Sequence, residues 1–209
     1  MLEQNVIEAN KTYFLDLLST IERPNAALDM LAEWLETSDF FIAPASTKYH
    51  GAYPGGLCEH SLDVYKNMEK LMSLHPECYY ESDTVKIVSL LHDLAKVNFY
   101  KRDFRNKKVY HENGSKQDNN GRFDWVSEAT YAVDHDNRFV YGNHEETSEF
   151  LVRQYIPLSV EESAALLHHH AGMSWDSTKA DISVIYNKYP LATFLHTADM
   201  LSTFIDQRL

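Results

Sequence analysis

The stretch LLHDLAK, residues 90–96, places a histidine, an aspartate and a lysine within an apolar run. A helix that buries the flanking leucines must either turn these polar groups to water or compensate them, because an unpaired buried charge costs several kcal/mol. A bound metal ion would compensate them. Imidazole and carboxylate are ligands that suit Fe, Mn, Zn, Co and Ni, and in part Mg.

Four other places in the chain interrupt apolar stretches with ligand-type side chains. They are Glu59-His60, His144, His168-His169-His170 and Asp199. One histidine on an apolar face is more often a hydrogen-bonded core residue than a ligand, and an isolated aspartate fits a buried helix partner. Five separate interruptions would need five such explanations, whereas one metal site built from distant helices accounts for all of them.

The adjacent pair His92-Asp93 has a geometric meaning on a helix. Neighbouring residues there point about 100° apart, so they would straddle a site rather than chelate one ion. The imidazole would bind one ion, and the carboxylate would bridge to a second. Lys96 shares their face at spacings of three and four residues, and we expect it to reach an anionic substrate or a neighbouring acid.

Helical spacing of apolar residues covers most of the chain. The predicted helices span residues 3–20, 25–37, 57–74, 84–97, 144–154, 160–170, 182–186 and 191–209. Prolines and glycines in residues 40–56 predict a loop. The pattern breaks over residues 98–136, where short alternating pieces such as residues 107–111 would pair as a hairpin. We predict an all-α helical bundle with one irregular or β-hairpin insertion around residues 98–136.

Composition limits the class of protein. The 209 residues, 44% of them hydrophobic, suit a single domain over residues 1–209. Cys58 and Cys78 are expected to be free thiols in the cytoplasm. We expect neither a signal peptide nor a membrane span, since no apolar run approaches about 20 residues. The net charge of −12 disfavours long nucleic acid as a partner.

The order of these motifs resembles the HD superfamily of metal-dependent phosphohydrolases, which is named for its His-Asp doublet. The resemblance covers residues 49–206 and is nearest to small stand-alone members of phage or bacterial type. It rests on YHGAYPGGLCEHSLDVY, LLHDLAK, YGNHEETSEFL, EESAALLHHHAGMSW and LHTADMLST. Residues 1–40 lie largely outside it and would either complete the core or form the face of a homodimer.

The resemblance implies a fold of HD type and a set of six metal ligands. A first divalent ion would be held by His60, His92, Asp93 and Asp199. A second would be held by Asp93, His144 and one histidine of the triplet, for which the resemblance favours His169. With both extra histidine positions filled, two ions are expected, drawn from Mn, Fe, Ni, Co, Zn or Mg.

The implied activity is hydrolysis of a phosphate ester of a nucleotide or related small molecule by metal-activated water. Asp93 and Lys96 would be the catalytic residues. The oxygens of the substrate phosphate would be bound by Lys96, Lys101, Arg102 and Arg105. The cationic run at residues 101–108 would fold over the site as a lid or, equally, form a solvated hairpin. Its aromatic residues would stack on a nucleobase or pack on the core.

Three other functions fit the same residues. An HD nuclease or phosphodiesterase would act on short oligonucleotides or cyclic dinucleotides through the cationic run. An HD di-iron oxygenase would use the same ligands to activate dioxygen. A binding module without activity is the least favoured, because loss of activity usually leaves gaps among the ligands.

Overall fold

Eight α-helices form the body of the described part of the chain, residues 2–170 and 182–207 of a computed structural model. They are α1 (Gln4–Ser19), α2 (Leu28–Thr37), α3 (Gly56–Leu74), α4 (Ser82–Leu91), α5 (His144–Arg153), α6 (Val160–His168), α7 (Ile182–Lys188) and α8 (Pro190–Leu201). A π-helical turn, Ser202–Asp206, extends α8. The prediction of a mostly helical protein is confirmed. The end of the fourth motif after His170 and the last two predicted helical residues lie outside the described residues.

The two N-terminal helices complete the hydrophobic core. Phe14 and Leu18 of α1 and Leu31 and Leu35 of α2 are fully buried, because their spacing puts them on the inner face of each helix. They share one core with apolar residues of α3, α4, α5, α6 and α8. Of the two roles predicted for residues 1–40, the structure therefore shows the first.

A long antiparallel hairpin separates α4 from α5. Its strands are β1 (Tyr100–Tyr110) and β3 (Gly121–Val133), and a short strand β2 (Lys116–Asp118) pairs with the other edge of β3. The register places Tyr100 opposite Val133. The Asp134 N–H donates to the Phe99 carbonyl over 2.8 Å, so the hairpin leaves and rejoins the helical body at one point. The predicted hairpin is confirmed, although it is far more regular and longer than residues 107–111 indicated.

The helix that carries the His-Asp doublet ends earlier than predicted. We expected a helix over residues 84–97, but α4 ends at Leu91, and a 3-10 turn, Leu94–Lys96, follows. The Ala95 N–H, which a continuous helix would direct to the Leu91 carbonyl, donates instead to Ser148 Oγ over 3.1 Å. His92 and Asp93 therefore lie at a helix end, where both side chains can turn to the same place.

The predicted loop before α3 is held tightly against that helix. Gly51 and Gly55 have positive φ angles of 55° and 83°, which favour glycine. A Cβ at Gly56 would lie 2.1 Å from the Gly51 carbonyl oxygen, so only glycine fits this approach. This packing brings His50 of the loop beside His60 of α3.

Two further expectations concern the environment of the protein. Cys58 and Cys78 are both free, as predicted. Among the described helices, none combines the length and the apolar character that crossing a bilayer requires.

Candidate metal centre

The structure brings all six predicted ligands together at one place. They come from α3 (His60), the end of α4 (His92 and Asp93), the first turn of α5 (His144), the end of α6 (His169) and α8 (Asp199). Five of them are buried and His144 is half-buried. Residues far apart in the sequence thus converge inside the helical body, as one common site requires.

Four of these side chains form a first group. His60 Nε2 lies 3.1 Å from Asp199 Oδ1 and 3.2 Å from His92 Nε2. Asp93 Oδ2 is 3.5 Å from His60 Nε2 and 3.4 Å from His92 Nε2. Ligand atoms that bind one ion with bonds of about 2.1 Å stand roughly 3.0–3.4 Å apart. The separations in this group are therefore close to those of a coordination shell.

The other oxygen of Asp93 faces a second group. Asp93 Oδ1 is 2.6 Å from His144 Nε2 and 3.8 Å from His169 Nε2. The nitrogen atoms of His144, His169 and His170 also lie within 4.8 Å of one another. One carboxylate therefore stands between two clusters of imidazoles, which is the arrangement predicted for a bridging ligand.

The hydrogen bonds around the cluster direct lone pairs into it. His92 Nδ1 donates to the Ser89 carbonyl over 2.8 Å, and His169 Nδ1 donates to the Leu166 carbonyl over 2.7 Å. A carbonyl only accepts, so each of these Nδ1 atoms holds a proton, and Nε2 is the nitrogen that faces the cluster and carries the lone pair when the ring is neutral. Metal-binding histidines are oriented in this way by their second nitrogen.

The surroundings of His169 Nε2 indicate whether a cation would suit the cluster. It is buried and has no hydrogen-bond partner among the described residues. The nearby Asp93 Oδ1 is also an electron-rich acceptor. A buried acceptor without a partner costs about 1–3 kcal/mol, and two facing acceptors repel. A divalent cation between them would remove both penalties, so the donor set fits a metal ion.

Lys96 balances the charge of Asp93. Its Nζ lies 2.6 Å from Asp93 Oδ2 in a buried ion pair. Burial opposes ionisation of both groups, but their mutual attraction raises the pKa of Lys96 and, with His92 and His144, holds the pKa of Asp93 well below its usual range. Both side chains are therefore charged within the protein.

His170 belongs to the triplet named by the sequence prediction, which favoured His169, and it also lies at the cluster. His170 Nε2 lies 3.2 Å from Asp199 Oδ2, and its Nδ1 lies 3.2 Å from Glu145 Oε1. Burial disfavours the charged ring, yet these two carboxylates outweigh it and raise the pKa of His170 to about 10. His169 caps the end of α6 with helical backbone angles and His170 follows it, and both side chains reach the cluster.

His50 is a residue at the cluster that the sequence prediction missed. Its ring lies 5.0 Å from the ring of His60, centre to centre. Both ring nitrogens are shielded from solvent and lack a hydrogen-bond partner among the described residues. Burial and the neighbouring His60 lower the pKa of His50 to about 3. The only signal in the sequence is a histidine within the glycine-rich loop.

His60 is oriented by a hydroxyl group rather than by the neighbouring carboxylate. Ser202 Oγ, the first residue of the π-helical turn, lies 3.0 Å from His60 Nδ1. Glu59, the carboxylate that precedes His60, instead accepts a 2.5 Å hydrogen bond from the Tyr53 hydroxyl. π-Helical turns are rare and often occur at functional sites.

The predicted phosphate-binding residues of the hairpin lie apart from the cluster. Lys101 and Arg105 share one face of β1, while Arg102 is on the other, because successive strand residues alternate. Lys101 Nζ is 3.9 Å from Asp134, and Arg102 lines a separate cleft with Tyr100 and Tyr131. None of the three contacts the cluster within the described part of the chain. Their binding of substrate phosphate stays a prediction.

The charges of the cluster predict how stability depends on pH. Burial lowers the pKa of His92 from 6.5 to about 3, so its contribution is complete above pH 6.5 and is lost as the pH falls towards 3. The pKa of His170 is raised from 6.5 to about 10, so its contribution is complete below pH 6.5 and is lost as the pH rises towards 10. Chelator-treated protein should therefore be most stable near pH 6.5.

Urea unfolding of chelator-treated protein at pH 4.5, 6.5 and 9 measures this effect. Each pKa unit corresponds to about 1.4 kcal/mol, so we expect losses of a few kcal/mol at both extremes. His75→Gln is the control, since His75 is exposed, pairs with Glu77 and belongs to neither group of ligands. A stability that rises steadily from pH 4.5 to 9 would contradict the assignment of charge to His170.

No protein-family profile, curated protein or solved structure matches this chain. The relation to the HD superfamily therefore stays a prediction from the motifs.

Proposed function

We propose that this chain is a divalent-metal-dependent phosphohydrolase of HD type that cleaves a phosphate ester of a nucleotide or a related small molecule. The proposal depends chiefly on Asp93, whose two oxygens face two groups of imidazoles with separations suited to metal ions. The ligands His60, His92, Asp93 and Asp199 would hold one ion, and Asp93, His144 and His169 the other. Two bound ions would neutralise charge on phosphorus and lower the pKa of a water molecule.

The remaining charged residues suit an anionic substrate. Lys96 is a buried cation against Asp93, and His170 is a second cation between Asp199 and Glu145. Each stands at the edge of the cluster, where it would attract phosphate oxygens and fix their orientation. His170 cannot ligate a metal while protonated, so an ion that recruited it would have to displace its proton.

A substrate panel tests the proposed activity. Protein loaded separately with Mn²⁺, Fe²⁺, Co²⁺, Ni²⁺, Zn²⁺ or Mg²⁺ is assayed for phosphate release from nucleoside mono-, di- and triphosphates, and for cleavage of cyclic dinucleotides and short oligonucleotides. We expect turnover of at least one small phosphate ester. Oxygen consumption measured in parallel distinguishes an oxygenase. Bound metal without cleavage of any phosphate ester would overturn the proposal.

Substitution of Lys96 should separate substrate binding from metal binding. In Lys96→Met the side-chain volume is kept but the cation is lost, so we expect kcat/KM to fall by about 10²-fold with metal content near that of the wild type. Kinetics and metal analysis measure the two quantities. Lys86→Met is the control, because Lys86 is a buried lysine of α4 paired with Asp83 away from the cluster. Loss of metal from Lys96→Met would show that Lys96 supports the ligands instead.

A further inference from the structure

A mostly apolar cleft of about 290 Å³ opens beside the metal centre. Its inner end contains His170 and Asp199, which also belong to the cluster, together with His50. Its walls are formed by Tyr49 of the loop before α3, by Met200, and by Thr203 and Phe204 of the π-helical turn. The cleft and the cluster therefore share His170 and Asp199, and a molecule in the cleft lies against the cluster.

Two aromatic side chains that line the cleft are partly exposed to solvent. Tyr49 is 67% exposed and Phe204 is 47% exposed, although both border an apolar space. Lys48 Nζ lies 5.6 Å from the centre of the Tyr49 ring and adds a cation beside it. Exposed aromatic faces beside a cation suit the stacking of a planar, electron-rich ring.

His50 contributes a ring to the lining of the cleft rather than free hydrogen-bonding groups. Both of its ring nitrogens are shielded from solvent and lack a partner among the described residues, so they are not exposed to a ligand in the cleft. The other polar side chains that line the cleft include His170, Asp199 and Thr203. Recognition of a ligand there therefore depends chiefly on its fit against the aromatic walls.

We infer that this cleft binds one nucleobase-like heterocyclic ring of the substrate, while the phosphate of the same molecule reaches the metal centre. The volume is at the lower limit of ligand pockets, roughly 300–1,000 Å³, so it holds one nucleoside rather than two. The inference rests on the proposed function and narrows it to mononucleotide-type esters. Dinucleotides and oligonucleotides would leave most of their length outside.

The first experiment compares two substrates that differ only by the base. We expect kcat/KM for the best ribonucleoside 5′-monophosphate to exceed that for ribose 5-phosphate by roughly 5- to 150-fold, the worth of one stacked base. In Tyr49→Ala and Phe204→Ala this ratio should fall towards one. Phe204→Leu is a milder variant that preserves the apolar wall in case the alanine variant fails to fold. Tyr79→Ala, at a similarly exposed tyrosine that lines a different cleft, should keep the ratio.

The second experiment needs no catalysis. Each of the four ribonucleosides is titrated into the wild-type protein by calorimetry, and we expect at least one to bind, with affinity at least about fivefold lower in Tyr49→Ala. Nucleoside binding without any phosphate ester hydrolysis would support the cleft and overturn the proposed function. If the protein hydrolyses both esters with similar kcat/KM and binds no nucleoside, the inference about the cleft is overturned and the proposed function stands.

Discussion

Asp93→Asn is expected to lower the turnover of the best phosphate ester by more than about 10³-fold. The amide keeps the shape of the side chain, but it replaces one shared anionic oxygen with an N–H₂ donor. Asp93 faces imidazoles of both groups and the buried cation of Lys96. Both ions would therefore lose a ligand in one substitution, and Lys96 would lose its counter-charge.

Kinetics and metal analysis of the purified variant measure this prediction. We also expect the free energy of unfolding to fall by about 3–5 kcal/mol in chelator-treated protein, because a buried cation is left unpaired. Asp39→Asn is the matched control. Asp39 is a partly buried carboxylate that accepts the Asn98 N–H over 2.7 Å and lies outside the cluster. Wild-type turnover by Asp93→Asn would remove the doublet from the mechanism.

Divalent metal should raise the thermal unfolding midpoint of chelator-treated protein by roughly 5–15 °C. At concentrations 100- to 1,000-fold above Kd, a ligand stabilises the folded state by about 2.7–4.1 kcal/mol, and each kcal/mol corresponds to about 2–4 °C in a chain of this size. Metal would stabilise the folded state because only the folded protein brings these buried lone pairs together around one place.

Substitutions of two adjacent histidines of the triplet test which of them binds the metal. His169→Gln should lose a large part of the metal-induced shift, because the buried Nε2 of His169 faces Asp93. His168→Gln should keep the shift, since His168 is only half-buried and belongs to neither group of ligands. Equal shifts in the two variants, measured by calorimetry or dye binding, would mean that His169 holds no ion.

The convergence of the cluster residues could be predicted because each of them combines burial with polarity. A histidine or an aspartate within an apolar helical face needs a partner, and convergence on a common partner accounts for His60, His92 and Asp199 together. The choice of His169 over His168 is supported by its position, since His169 follows the buried Ala165 and Leu166 on the inner side of α6.

The end of α4 could not be predicted in the same way. LLHDLAK contains neither glycine nor proline, and its leucines, alanine and lysine favour a helix. The helix ends because Ser148, more than fifty residues away, takes the Ala95 N–H. A long-range contact of this kind leaves no local signal, so the sequence predicted a continuous helix.

The length of the hairpin escaped prediction for another reason. Alternation of polar and apolar residues marks a strand only if one of its faces is buried. Most residues of β1 and β3 are exposed on both faces, so charged and aromatic residues occur with no clear period. His50 was missed because its neighbours are loop residues, for which sequence patterns carry no information about burial.

The closure of the hairpin at Phe99 and Asp134 makes it a self-contained appendage. Removing matched pairs of residues from its tip would shorten the arm without displacing the doublet or the start of α5, since both strands end at the same backbone hydrogen bond. The length of this arm, or the loop at its tip, can therefore be changed without altering the helical body that holds the cluster.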